Sequence, residues 1–294
     1  MDHLIIGNVR VTRIPEREPQ REPMFKFFPD LPEELVKANE HWLAPDHYHP
    51  FSRSMLLHFH SWLLQTPHHN ILVDTCNGNH KPRPGLEMSD DLNTPFMERL
   101  KNTGVAPEDI DFVMCTHLHP DHVGWNTHLE NGRWVPTFPN AKYLMSRIEH
   151  DIWATRSKDA SRPQWSRNVY LDSVLPVVEN GLAVLVQGIH AVEDCFTIKP
   201  APGHTAGTCR ADLQSGGSGA VFCGDMLHTP LQVPYWQQTS RTCEDKPQAV
   251  KSRQELLADC AERRAILMPM HFGPPYVARI NSSTSGFSLD FSGL

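Results

Sequence analysis

Residues 116–125 read THLHPDHVGW, with three histidines and an aspartate inside positions 117–122. A polar loop in a chain that carries 18 histidines is one reading of this run. Half of a metal site, completed elsewhere in the chain, is the other. The preceding DFVMCTH (111–117) is apolar and strand-like. Side chains two apart in an extended segment point the same way, so His117 and His119 form a pair. Pro120 ends the extended run, and Asp121 and His122 open the turn or helix that follows. Such a run can present two imidazoles to one metal ion and an Asp–His pair to a second.

Two ions need more than four ligands, and the same kind of position recurs further along. His204 stands in APGHTAGT, directly after the strand-like CFTIKPAP. Asp225 ends GAVFCGD, and His271 ends RAILMPMH. Each of these alone reads as a hydrogen-bonded histidine or a turn aspartate. Three strand ends that carry His or Asp, added to the cluster, read as a ligand set. Imidazole and carboxylate suit Zn²⁺, and they also admit Fe, Mn or Co. Two ions a few ångströms apart share a water, lower its pKa and polarise a carbonyl or phosphoryl oxygen.

HLHPDH at 117–122, followed in order by His204, Asp225 and His271, resembles the HxHxDH pattern of the metallo-β-lactamase superfamily. The resemblance runs from about residue 55 to about 280. It implies an α/β, four-layer αββα sandwich with the site at the sheet edges. It implies that His117, His119 and His204 hold one metal ion, that Asp121, His122 and His271 hold the other, and that Asp225 bridges them. It implies attack on the substrate by a bridging hydroxide, with Asp121 passing a proton to the leaving group. Asp74, in ILVDTC, is by the same resemblance a support that orients a ligand rather than a ligand itself.

Four stretches resemble the branch that holds lactonases and methyl-parathion-hydrolase-like enzymes: THLHPDHVGWN, GRWVPTFPNAKYLMSRIEHDIW (132–153), GDMLHTPLQV (224–233) and MHFGPPYVARI (270–280). A small organic substrate follows, with a lactone or ester as the first expectation. Phosphotriester hydrolysis or hydrolytic dehalogenation on the same site is the alternative, and an iron-containing redox or metal-binding protein is a third. Acyl-homoserine lactonases place a tyrosine three residues after the bridging aspartate, where this chain has His228. His228 is therefore a second catalytic candidate beside Asp121, and homoserine lactone specificity is in question. Phe27, Phe28, Trp42 and Trp236 are candidates to line an apolar pocket for a hydrophobic substrate.

The rest of the chain bounds these readings. Its 294 residues, 39% hydrophobic and 21% charged, suit a folded protein with a large core. A net charge of −7 and the lack of a basic run argue against nucleic acid as a partner. No apolar stretch reaches the roughly 18 residues of a membrane helix, and the first residues do not read as a signal peptide. Seven scattered cysteines with no CxxC pair suggest reduced thiols and a cytoplasmic location.

Ten strand-like segments are expected: 3–14, 55–66, 70–76, 111–117, 141–146, 182–187, 195–202, 209–215, 219–225 and 264–271. TPHHN (66–70) and SGGSG (215–219) read as turns between paired strands. Helices are expected at 94–103, with Thr94 as cap and Pro95 in the first turn, at 146–155 and at 247–263. Segment 15–54, with seven prolines and several aromatics, reads as one long irregular stretch and a candidate homodimer contact. No linker is evident, so a single domain over 1–294 is expected.

Overall fold

A computed structural model describes residues 3–292, which divide into two compact units. One consists of residues 3–17 and 59–190, the other of residues 18–58 and 191–292.

The first unit is built on a mixed sheet. Its strands lie in the order His3–Ile6, Val9–Pro23 as far as residue 17, Ser54–Gln65 from residue 59, Asn70–Val73, Phe112–Met114, Lys142–Ser146, Ala183–Val186. Ser54–Gln65 and Asn70–Val73 form an antiparallel hairpin across the expected turn at 66–70. From Asn70–Val73 onward the strands run parallel. Parallel strands are covered on both faces, and here Ile71, Leu72, Val113, Met114, Tyr143 and Leu144 are all buried. Side chains that follow parallel strands gather at their carboxyl ends, the usual location of sites in such sheets. Asp74, His117 and the helix Arg147–Arg156 emerge there.

The second unit has a five-stranded sheet, ordered His190–Glu193, Phe196–Pro200, Cys209–Ser215, Ser218–Gly224, Ile266–Pro269. The turn at 215–219 joins an antiparallel pair, as expected. Ser218–Gly224 and Ile266–Pro269 are parallel, so the chain must cross over between them. The helix Lys246–Arg263 makes that crossover. Asp245 caps it by accepting from the Gln248 N–H at 3.0 Å, and the left-handed Arg264 (φ 53°) ends it. Leu256, Leu257 and Cys260 of the helix share a core with Val221, Cys223, Leu267 and Phe272. The register sets Gly224 against Pro269, which brings the residues after them, Asp225 and His271, to one edge.

The three expected helices form as Phe96–Lys101, Arg147–Arg156 and Lys246–Arg263. Pro95, not Thr94, takes the capping position of the first, and no side chain caps it.

Segment 15–54 is more regular than its composition suggested. The strand Val9–Pro23 runs through Pro15 and Pro19 to Pro23. Backbone N–H groups alternate sides along a strand, so prolines four apart remove donors from one edge only. Helices Met24–Phe27 and Glu33–Leu43 follow, the latter opened by Pro32 with Glu33 and Glu34 in its first turn. Among the described residues, no helix is long and apolar enough to cross a membrane.

Candidate metal centre

In the first unit, the strand Phe112–Met114 stops and the backbone of Cys115 is held by the carbonyl of Leu144 at 3.0 Å. His117 and His119 follow, paired as their spacing implied: their rings are 4.5 Å apart, with Nε2 of His117 2.9 Å from Nδ1 of His119. The short helix Pro120–Val123 then turns Asp121 and His122 back. Nε2 of His122 is 3.8 Å from Oδ2 of Asp121, and the His117 and His122 rings lie 4.0 Å apart. His117 and His122 are fully buried, and Asp121 keeps a partly open carboxylate.

Asp74 stands at the end of the neighbouring strand in left-handed backbone (φ 55°). Its Oδ2 accepts from His122 Nδ1 at 2.8 Å, and its two oxygens also accept from the Thr116 N–H and hydroxyl at 2.7–3.0 Å. With Nδ1 donating to a carboxylate, the neutral ring carries its lone pair on Nε2, the atom a metal ion would take. Glu149 anchors the loop between the histidines, accepting from the Leu118 N–H and from Trp153 Nε1, each at 3.1 Å.

The loop is seated by a contact with no room for side chains. A Cβ on Gly124 would lie 1.8 Å from the carbonyl of Asn77, and one on Gly78 (φ 77°) would lie 2.6 Å from the carbonyl of Gly124. The buried Glu16 gathers this seam, accepting from the Asn77 and Gly78 N–H groups, the Asn77 amide and Trp125 Nε1 at 2.7–3.1 Å. Burial pushes its carboxyl pKa up, against the pull of those donors.

In the second unit, Asp225 is the hub. Nε2 of His271 lies 3.0 Å from its Oδ1, and Nε2 of His204 and His228 lie 3.3 and 3.1 Å from its Oδ2. Nδ1 of His271 donates to the carbonyl oxygen of His58 at 2.8 Å. A carbonyl oxygen can only accept, so in the neutral ring Nε2 of His271 bears a lone pair and faces a carboxylate oxygen, also an acceptor. Two acceptors at that distance repel unless a cation or proton stands with them. The donor set is thus one of imidazole nitrogens and carboxylate oxygens, with His122 and His271 oriented through Nδ1, and it fits a zinc-type ion.

Burial lowers the His228 pKa to about 4 despite Asp225, so this ring is neutral near pH 7. Burial also opposes charge on His204, but its hydrogen bonds to Asp225 and Cys243 prevail and raise it to about 9. His228 is ringed by Phe27 at 5.0 Å, Phe28 at 6.4 Å and the parallel ring of His271 at 5.8 Å. Of the expected pocket residues, Phe27 and Phe28 therefore reach the site. Trp42 hydrogen-bonds Asn39, and Trp236 packs edge-on to Phe287 at 5.2 Å beside the core. Thr116, Glu149, Cys243 and the His58 carbonyl went unread in the sequence. They touch the candidate ligands or the loop between them and carry no ligand spacing of their own.

The family model described as the metallo-beta-lactamase superfamily matches residues 57–271, a stretch that holds all seven candidate ligands. The chain belongs to the metallo-β-lactamase superfamily, and its mixed sheets and helices are those of that α/β fold. Metallo-beta-lactamase domain-containing protein 1 of Xenopus laevis is 30% identical over 184 residues, 62% of this chain and 61% of that protein. The N-acyl homoserine lactonase AiiB of Agrobacterium fabrum is 30% identical over 116 residues, 35% of this chain and 41% of that one. The chain thus spans about three fifths and two fifths of these relatives.

Among solved structures, the dizinc quorum-quenching lactonase AidC superposes with a TM-score of 0.80 at 20% identity, over 99% of this chain and 97% of AidC. The hydrolase AbOPH gives 0.79 at 21% identity, over 98% and 95%. These two likenesses are likenesses of fold.

Proposed function

We propose that the protein is a metal-dependent hydrolase that opens an ester or lactone bond in a small, hydrophobic organic molecule. One observation carries the reading: three imidazole nitrogens stand within 3.3 Å of the Asp225 carboxylate, two of them from His204 and His271, which the family resemblance marks as ligands. By the family's order, His117, His119 and His204 would hold one ion, Asp121, His122 and His271 would hold another, and Asp225 would be a ligand beside them. Zinc is the expected metal, as the dizinc relative suggests.

Bound there, such ions supply Lewis acidity, polarising the carbonyl and lowering the pKa of the attacking water. The chain's own groups do the rest. Asp74 and the His58 carbonyl keep Nε2 of His122 and His271 deprotonated and aimed. The neutral His228 donates Nε2–H to Asp225 Oδ2, so it adds no positive charge beside the carboxylate. Phe27 and Phe28 exclude water on that side and favour an apolar acyl group. The water oxygen bonds to the carbonyl carbon, the carbon–oxygen bond of the ester breaks, and Asp121 hands the water's proton to the departing oxygen.

A phosphotriester is the second reading. The observation that favours it is His228, where acyl-homoserine lactonases carry tyrosine. Metal analysis of the purified protein, joined to a panel of lactones, aryl esters and phosphotriesters, tests both. Turnover of lactones or esters that vanishes in His119→Ala supports the first. Phosphotriester turnover that exceeds both by about 100-fold, some 2.7 kcal/mol, selects the second. Protein with less than one bound metal per chain and activity unchanged in His119→Ala overturns both.

A further inference from the structure

The three histidines His122, His271 and His204 each use Nδ1 differently. His122 donates to the Asp74 carboxylate, and His271 donates to a backbone carbonyl. Nδ1 of His204 faces a sulfur: Sγ of Cys243 lies 3.8 Å away, within reach of a hydrogen bond to sulfur. Cys243 is more than nine-tenths buried, as is His204.

The backbone fixes this approach. The Glu244 N–H donates to the His204 carbonyl at 2.9 Å, and the Asp245 N–H donates to the Gly203 carbonyl at 3.0 Å. Gly203 itself (φ 130°) lies so close to the helix Lys246–Arg263 that a Cβ would meet Ala249 N at 2.2 Å. The segment that carries Cys243 is thus laid against the segment that carries His204. The sulfur also has other polar neighbours. Ser240 Oγ is 3.4 Å from it, and the buried Arg253 guanidinium lies near enough for the two charges to interact. Arg253 gives its protons to the Met226, Trp236 and Gln238 carbonyls at 2.6–2.8 Å.

We infer that Cys243 is a positioning residue for the metal centre: its sulfur accepts Nδ1–H of His204 and thereby aims Nε2 of that ring at the ion. This rests on the proposed ligand role of His204. A metal-binding imidazole must keep its coordinating nitrogen deprotonated, so in the loaded site the proton sits on Nδ1 and the sulfur is its acceptor. Sulfur here takes the place that a carboxylate takes at His122.

Zinc affinity, read by competition with a chromogenic chelator, tests the inference without recourse to turnover. The parent is compared with Cys243→Ala, Cys243→Ser, Cys260→Ala and His204→Ala. Loss of such a partner weakens metal binding about 10- to 100-fold, and Cys243→Ala is expected to fall in that range for one ion. Cys243→Ser is expected to recover part of the loss, because its hydroxyl oxygen still accepts. Cys260→Ala, a core thiol in the same unit, is expected to bind as the parent does. Parental affinity in Cys243→Ala, with affinity lost in His204→Ala, overturns this inference alone. Equal losses in Cys243→Ala and Cys260→Ala also overturn it, since packing then explains both. Parental affinity in His204→Ala overturns the ligand assignment and this inference with it.

Discussion

Asp74 Oδ2 stands 2.8 Å from His122 Nδ1, so a carboxylate on one strand end holds an imidazole from the next. Both groups are buried, which makes the contact strong and its loss costly. Asp74→Asn keeps the shape but replaces one acceptor oxygen with a donor. Such changes weaken metal affinity about 10- to 100-fold, and the variant is expected to show this in equilibrium dialysis against a chelator. Binding as tight as the parent's would show that Asp74 serves only the Thr116 turn.

Gly124 admits no Cβ, because the nearest atoms are backbone atoms of Asn77 at 1.8 Å. Neither segment can yield by rotating a side chain. Overpacking of this kind costs about 3 kcal/mol, and Gly124→Ala is expected to lower the urea midpoint accordingly. A midpoint that stays put would mean that the seam between residues 77–78 and 124 is easily opened.

Glu16 is surrounded by donors only: two backbone N–H groups, an amide and an indole. Glu16→Gln brings an NH₂ group into that ring and leaves at least one donor facing another. An unsatisfied buried donor costs about 1–3 kcal/mol, so denaturant unfolding of Glu16→Gln should show a loss in that range. Its failure to appear would place the stabilisation of this loop elsewhere.

Lys81 is buried beneath the Trp134 ring, 3.6 Å from its centre, and donates to Thr127 Oγ1 and the Asp172 carbonyl. Burial lowers its pKa from 10.5 to about 7, with Asp172 pulling the other way. Between those values the unfolded chain holds a proton that the folded chain lacks, so stability rises with pH across this window. The slope due to one such group is at most about 1.4 kcal/mol per pH unit. Between pH 7 and 9 the parent is expected to gain stability relative to Lys81→Met, by paired urea titrations. Parallel curves for the two proteins would show that Lys81 stays charged in the fold.

The ligand types were legible because metal chemistry is written in residue identity and short spacing. HLHPDH placed two imidazoles on an extended run and an Asp–His pair after a proline, and the backbone follows that division at Pro120. The strands before Asp74, His117 and Asp225 were equally readable, since apolar runs bounded by turn residues mark buried strands. Segment 15–54 misled because proline counts suggest disorder of pattern, while it is the parity of Pro15, Pro19 and Pro23 that lets a strand continue.

What the sequence by itself determined is the family, the donor chemistry and the order of the strand ends that carry it. These follow from local preference and from spacing along the chain. The tertiary structure alone decided which group lies against Nδ1 of His122, His271 and His204. Asp74 meets His122 across 48 positions, the His58 carbonyl meets His271 across 213, and Cys243 meets His204 across 39. No local pattern marks such pairs, because a carbonyl or a thiol gains its role only when folding brings one imidazole nitrogen to it.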